Sequence, residues 1–424
     1  MKVYGEVHGC PANLSDYEMA MGLLKESGID FCSSPSASDL NIIFTCCVKT
    51  PTISRMVHRI TKLAKTDKPL VVAGCMPKVM RSAIEKISPS ASLVGPDSIE
   101  KITDAVAATA EGKKFVWLRD LRRPKVFLPK SRKNPMVDVI EISTGCLGSC
   151  SYCNVKFAKG KLSSYPQELI VKEAERALKD GCRELWLTSQ DSSCYGKDIG
   201  SNLPELLKSV CKIDGRFFVR VGMMNPVHAE KIVGELVDAY KSEKVFKFLH
   251  LPAQSFSPRT LKLMKRDYSP KTALEIIKKF YKAFPDLTLS TDIIVGFPQE
   301  SDSDFDKTLD FLKKVKPDIV NISKFGSHPG TEAEKLEQLP RNIINKRSKK
   351  LFEIVKDISL EKNQKWLGWS GECLIDEKGR KNTWVGRNFA YKPIVVQSDK
   401  NLLGKFIEVK ITGAKSSYLI GNVV

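Results

Sequence analysis

No run of about 18 apolar residues occurs anywhere in the chain, so no segment is long and apolar enough to span a bilayer as a helix. Met1 is followed directly by KVYGEVHG, which has no long apolar core, and no export leader is read there. The chain is therefore expected in the cytoplasm, with no membrane partner. Histidine is scarce: five residues that do not cluster in the sequence give little support to a His-built metal or nucleophile site. Acid is in deficit as well, with 49 Asp+Glu against 68 Lys+Arg and a net charge of +19. Such an excess matches a polyanion, nucleic acid before membrane because no basic amphipathic anchor is visible; a merely basic soluble surface is the alternative. Cysteine, by contrast, is plentiful. Twelve of them in a reducing compartment are not a disulfide framework, so metal binding or catalysis becomes the reading for those that cluster.

The first 110 residues alternate short apolar runs with amphipathic ones. KVYGEV, LNIIFT, PLVVAG and ASLVG read as strands, and helices are expected to start near Ser15, Pro51, Pro77 and Asp97. Repeated βα units imply a doubly wound parallel sheet covered on both faces. Cys10 follows the first strand, Cys46 and Cys47 close the second, and Cys75 closes the third. In such a sheet the carboxyl ends of the strands share one edge, where thiols remote in sequence can converge. Burial as small apolar residues is the other use of isolated cysteines.

Residues 112–133 carry nine Lys/Arg and one Asp and read as a basic interdomain linker, solvated or touching phosphates. A larger βα series follows over 134–363. DVIEIS, RELWLTS, FFVRVG, VFKFLHL, LTLSTDIIVG and DIVNIS look like six strands separated by helices, a (βα)6 partial barrel whose site lies at the carboxyl ends of its strands. From 364 to 424 the pattern changes to GECLIDE, TWVGRN, KPIVVQS, GKFIEVKITGA and SYLIGNVV between Gly and Asn turns, the signature of a small antiparallel β-barrel. Ten Lys/Arg against five Asp/Glu between Lys365 and Val424 suit RNA, or a structural cap.

TGCLGSCSYCN, just after the first barrel strand, brings Cys146, Cys150 and Cys153 into one loop. Three thiolates fit three corners of a [4Fe-4S] cube and leave one iron open to chelation by an amine and a carboxylate, as the methionine part of S-adenosylmethionine offers. Zinc is the alternative, but its cysteine sites usually pair two CxxC knuckles, and no second knuckle occurs here.

This loop, with Tyr152 before its third cysteine, resembles that of the radical S-adenosylmethionine (radical SAM) superfamily, whose members reduce S-adenosylmethionine and release a 5′-deoxyadenosyl radical. Taken together, EVHGCPANLSDYE, FTCCV, AGCMPK, GCLGSCSYC and VGRNFAYKPIVV resemble the methylthiotransferases over essentially the whole chain, closest to the archaeal and eukaryotic branch that acts on transfer RNA. The resemblance implies an N-terminal methylthiotransferase domain, a radical domain and the RNA-binding barrel called TRAM. It implies two [4Fe-4S] clusters, one on Cys146, Cys150 and Cys153, the other on Cys10, Cys46 and Cys75 and carrying the sulfur to be inserted. One S-adenosylmethionine would supply the methyl group and a second the radical. Two departures stand out. Phe44 replaces the Asn of the usual NTC, with Cys47 a rival to Cys46, which Thr45 and Val48 flank as in the family. Phe256 in LPAQSFS occupies a usual glycine position, so the backbone is expected to differ there.

Further candidates stand at the strand ends. Asp191 resembles a family position near the substrate base and is the candidate catalytic residue; a loop or helix cap is its other use. Gln190, Tyr152, Gln254 and Ser255 are candidates for holding S-adenosylmethionine. Arg220 would grip its carboxylate with a bidentate fork, or else belong to a buried ion pair. Asp292 and Gly296 end the fifth strand, where glycine would let a nucleoside approach or serve a turn. No role is expected for Cys32, Cys182, Cys194, Cys211 or Cys373. The implied reaction inserts a methylthio group at C2 of N6-threonylcarbamoyladenosine 37 in the tRNA anticodon stem-loop. That C–H bond has no acidic proton, so a cofactor must do the hard step. An electron donor is required and a monomer is expected. The alternatives are isopentenyladenosine 37, a ribosomal-protein aspartate, or a non-catalytic metal-containing RNA-binding protein.

Overall fold

The structure, a computed structural model, describes residues 1–424. It begins with a six-stranded sheet of β1 (Lys2–Val7), β2 (Asp30–Cys32), β3 (Leu40–Thr45), β4 (Leu70–Gly74), β5 (Ser92–Val94) and β6 (Val116–Trp117). The order is β2-β1-β3-β4-β5-β6 and every pair is parallel. LNIIFT and LVVAG are buried along their whole length, as central strands with helices on both faces must be. Side chains of alternate parity feed two cores, one holding Tyr17, Leu24, Ile42 and Phe44, the other Ile43, Met56, Ile60 and Val72. The chain leaves β1 to one side for β2 and to the other for β3. Their carboxyl ends thus open a crevice at the switch point.

The segment 112–133 is more than a connection. Val116–Trp117 is the sixth strand of the first sheet. Lys125 and Lys130 are almost fully buried, pairing with Asp16 and Glu141 and with Asp138 respectively, and Arg132 pairs with Asp138 and Asp180. These three cations compensate interior carboxylates and are unavailable to phosphates. Their charge read as solvated because the sequence does not show the acids they meet.

The central domain is the expected six-stranded partial barrel. β7 (Val137–Glu141) opens it; β8 (Ser143–Thr144) and β9 (Ser163–Ser164) form a small ladder bracketing the cysteine loop. β10 (Glu184–Thr188) and β11 (Phe218–Val221) follow in parallel. β12 (Phe248–His250), β13 (Thr288–Val295) and β14 (Ile319–Lys324) complete the wall, again parallel. The halves meet at a single Val219–Val245 bridge. Leu185, Leu187, Val219, Val221, Leu249 and Ile293 point outward into the core beneath the helices. The strand period of two therefore turns Glu184, Trp186, Phe218, Arg220, Phe248, His250 and Asp292 into the lumen.

The helix Arg341–Gln364 leads into a closed barrel of β15 (Ser370–Lys378), β16 (Thr383–Asn388), β17 (Pro393–Gln397), β18 (Phe406–Ala414) and β19 (Leu419–Val423). Its pairs are antiparallel except β17–β19, which is parallel. This barrel closes the amino end of the central one. Lys392 reaches Asp318 at 2.7 Å, the Lys247 N–H donates to the Phe389 carbonyl at 2.7 Å, and Tyr391 sits against Phe246 and Phe248. No helix is long and apolar enough to cross a membrane.

Candidate active site

Cys10 caps the helix Pro11–Glu26 directly after β1, Cys46 and Cys47 leave β3, and Cys75 leaves β4, so all four occupy the carboxyl edge of the first sheet beside its switch point. Gly9 makes the approach possible: its φ is +129°, and a Cβ there would lie 2.5 Å from Cβ of Cys46. Cys47 packs against Cys75, and Cys46 lies against Gly9, the neighbour of Cys10. The neighbouring Cys46 sulfur and then burial push the Cys10 thiol up, and Cys10 in turn draws Cys46 down.

The second thiol set sits in the loop after β7. The Cys146 N–H donates to the Gly160 carbonyl at 3.4 Å, the Cys153 N–H to Cys150 at 3.1 Å, and the Ser151 hydroxyl to Leu263 at 2.7 Å. Burial pushes Cys146 up to about 12 and raises Cys153 as well. Thiols so placed do not ionise unaided at neutral pH, whereas a bound metal deprotonates a coordinating thiol outright. Half-buried thiols gathered in one loop therefore fit an iron–sulfur group, as do those at the sheet edge.

The two sets face one another. Ala158, on the helix Val155–Lys159 that follows Cys153, contacts Cys47 and Cys75, and the Asn154 amide donates to the Cys47 carbonyl at 2.8 Å. Behind this seam Lys125 and Lys159 alternate with Asp16 and Glu141. Burial alone would raise Glu141, but the two ammonium groups hold it down at about 2.

The sequence did not point to Arg266. It is buried under the loop and donates to Tyr152 Oη at 3.3 Å, Asn225 Oδ1 at 3.1 Å, the Pro252 carbonyl at 2.6 Å and, at 3.8 Å, Cys150 Sγ. A lone arginine in KRDY carries no spacing signal. His250 was missed too; it meets Asp292 in the lumen at 3.2 Å, a pair formed across two strands.

The strand-end candidates divide. Tyr152 holds the loop through Arg266 and an edge contact with Phe297. Gln190 presents a buried side-chain oxygen with no partner, and Gln254, at φ +69°, is stitched to β13 through Asp292 and Ile294. Asp191 is the cap of the turn Ser192–Cys194: Oδ1 accepts from Ser193 and the Asn225 N–H, and Oδ2 from the Cys194 thiol. Both oxygens are engaged within the turn, the capping use of an aspartate at a strand end. Ser255 is buried, its hydroxyl beside that of Thr308 and accepting from the Ser257 N–H. Gly296 is accounted for by packing, since a Cβ there would meet Ile344 at 2.5 Å. Phe256 stacks on Phe311 in the core, and the left-handed residue of that turn is Gln254 instead. Arg220 has no ion pair; Trp186, Phe248 and Tyr391 surround it. Asp191, Cys194 and His228 gather within 4.8 Å, but the Cys194 thiol is bonded to Asp191, and Nδ1 of His228 lies 2.8 Å from the Lys197 ammonium.

A partial βα barrel with three loop cysteines after its first strand defines the class. Residues 140–312 match the model of the radical SAM superfamily, residues 2–95 that of the uncharacterized protein family UPF0004, and residues 372–424 the TRAM domain. Among solved structures, a radical S-adenosylmethionine methyltransferase from Kitasatospora setae superposes with a TM-score of 0.57 at 14% identity, over 78% of this chain and 76% of that one, a likeness of fold. A probable threonylcarbamoyladenosine tRNA methylthiotransferase of Pyrococcus horikoshii is 39% identical over the full length of both chains. The Drosophila melanogaster threonylcarbamoyladenosine tRNA methylthiotransferase is 34% identical over all of this chain and 78% of its own. The chain belongs to the threonylcarbamoyladenosine tRNA methylthiotransferase family.

Proposed function

We propose that this chain is the radical S-adenosylmethionine enzyme that methylthiolates C2 of N6-threonylcarbamoyladenosine 37 in transfer RNA. The observation that carries the reading is the meeting of two thiol sets across one seam, each at the carboxyl edge of its own parallel sheet. Cys146, Cys150 and Cys153 would hold one [4Fe-4S] cluster, and Cys10, Cys46 and Cys75 the other. When bound, these groups together with S-adenosylmethionine supply the 5′-deoxyadenosyl radical and the methylthio group.

The chain's own residues do the rest. Tyr152 and Arg266 fix the loop, and Arg266 offers a fixed cation beside Cys150. Gln190, with its free buried oxygen, and Gln254 line the mouth in which S-adenosylmethionine would lie. Asp191 acts as a positioning residue by holding the turn against the cysteine loop. Cys46 is preferred to Cys47 because it lies against Gly9, the neighbour of Cys10, whereas Cys47 packs on Cys75 and Ala158.

Position 37 lies in a single-stranded loop, where a base can be splayed out without melting a duplex. Exposed Lys378, Arg380, Lys381, Lys400 and Lys410 on the terminal barrel, and Lys346, Lys349 and Lys350 on the preceding helix, are the residues proposed to meet the phosphates of the anticodon stem-loop. The enzyme is taken to act as a cytoplasmic monomer with an external electron donor.

Iron and acid-labile sulfide per chain, measured after anaerobic reconstitution of the wild type and Cys10→Ala, test this reading. Content for two four-iron clusters, falling to one in the variant, supports it. Zinc without sulfide overturns it.

A further inference from the structure

The lumen holds a cation with nothing to neutralise it. Arg220 lies among the rings of Trp186, Phe248 and Tyr391, its guanidinium carbon 4.9, 5.2 and 5.3 Å from their centroids. It makes no ion pair and no hydrogen bond, and its Nε is buried without a partner. Other arginines that are buried or half-buried are engaged: Arg266 with Asn225 and Pro252, Arg347 with Glu300 and Asp302, Arg387 with Asp376. Cation–π contact with the ring faces leaves the guanidinium N–H donors unsatisfied. None of the acids on the lumen wall pairs with Arg220. Asp292 is paired with His250, and Glu184 accepts the Trp186 indole N–H within the group it forms with Asp376 and Arg387. A forked cation held by flat walls, with donors left unpaired in the lumen, is built for a planar anion that enters with a ligand.

Depth narrows the choice of ligand. Arg220 is in register with Trp186, two residues before β10 ends at Thr188, which is about 7 Å below the rim. The cysteine loop and Asp191 lie at the rim. The receptor therefore serves a group that hangs below a molecule held there. We propose that Arg220, in a cage completed by Tyr391 of the terminal barrel, is the carboxylate receptor of the lumen. Two molecules of the proposed reaction carry a carboxylate, the threonylcarbamoyl base and S-adenosylmethionine. The threonyl group extends from N6 through several bonds and can be lowered from the rim to this depth. The inference rests on the proposed function and deepens it to a specificity determinant. It also gives the terminal barrel a part in base recognition through one side chain.

The test uses the reconstituted full chain and three anticodon stem-loops, bearing threonylcarbamoyladenosine, its methyl ester or plain adenosine at position 37. The wild type is expected to prefer the free acid to the ester. Arg220→Gln is expected to lose about tenfold to a hundredfold of that preference, with iron per chain and S-adenosylmethionine affinity unchanged. Arg220→Lys, which keeps the charge without the fork, should fall between and carries the test if Arg220→Gln does not fold. Weakened S-adenosylmethionine binding with the RNA preference intact assigns the same receptor to the methionyl carboxylate. If neither ligand is affected, the proposal is overturned. A wild type that does not distinguish the modified loop from plain adenosine, and forms no methylthio product, would instead sink the functional reading.

Discussion

At the scale of single residues, glycine and a buried carboxyl make the sharpest predictions. Gly9 sits in a left-handed conformation against Cys46, so Gly9→Ala must move β1 and β3 apart. It is expected to lose the iron of the N-terminal site and keep that of the loop site, as read by iron content per chain. Burial pushes Glu184 up to about 8, well above its unfolded value. A carboxyl raised in this way favours the folded state at low pH, and its contribution is lost as pH rises from the unfolded value through about 8. Glu184→Gln, which stays neutral, should melt like the wild type at pH 5 and above it at pH 9; the reverse order would contradict the protonated assignment. The gathering of cysteines at strand ends was legible because spacing and strand position carry the signal. The local contacts of Asp191, Ser255 and Gly296 were not, since capping, turn and packing use the same residue types at strand ends as ligand binding does.

Among elements, the seam between the first sheet and the barrel is held by charge. Lys125 comes from the joining segment, Asp16 from the helix after Cys10, Glu141 from the end of β7 and Lys159 from the helix after Cys153. Lys125→Met leaves two buried carboxylates to share one lysine, a loss expected to cost about 3–5 kcal/mol in denaturant unfolding. Little change would mean that water, not Lys125, compensates Asp16 and Glu141. The strands buried on both faces were readable as apolar runs, and the six barrel strands as a repeating βα rhythm. β2 and β6 were not, being two or three residues long with partly exposed side chains and no period. The basic run 112–133 misled for a different reason: a sequence shows the lysines of a buried pair without the acids, which here lie up to 109 positions away.

For the whole molecule, the terminal barrel is the floor of the central one. Tyr391 and Lys392 project into it, leaving its basic strands and the helix Arg341–Gln364 to face solvent. Stem-loop affinity should fall about a hundredfold between 50 and 200 mM salt if about four phosphates are contacted. A flat salt response would show that the +19 charge is not used for RNA. The order of the three folding units was legible in full, because each has its own periodicity. Their mutual burial was not, because the residues that join them belong to no repeating pattern.

The central claim is the product. Transfer RNA bearing N6-threonylcarbamoyladenosine 37 would be incubated with the reconstituted enzyme, a reductant and S-adenosylmethionine, then digested to nucleosides for mass spectrometry. The account predicts 2-methylthio-N6-threonylcarbamoyladenosine, formed together with 5′-deoxyadenosine and absent with Cys150→Ala. An unchanged nucleoside in the presence of both clusters, or methylthiolation of isopentenyladenosine in its place, would contradict it.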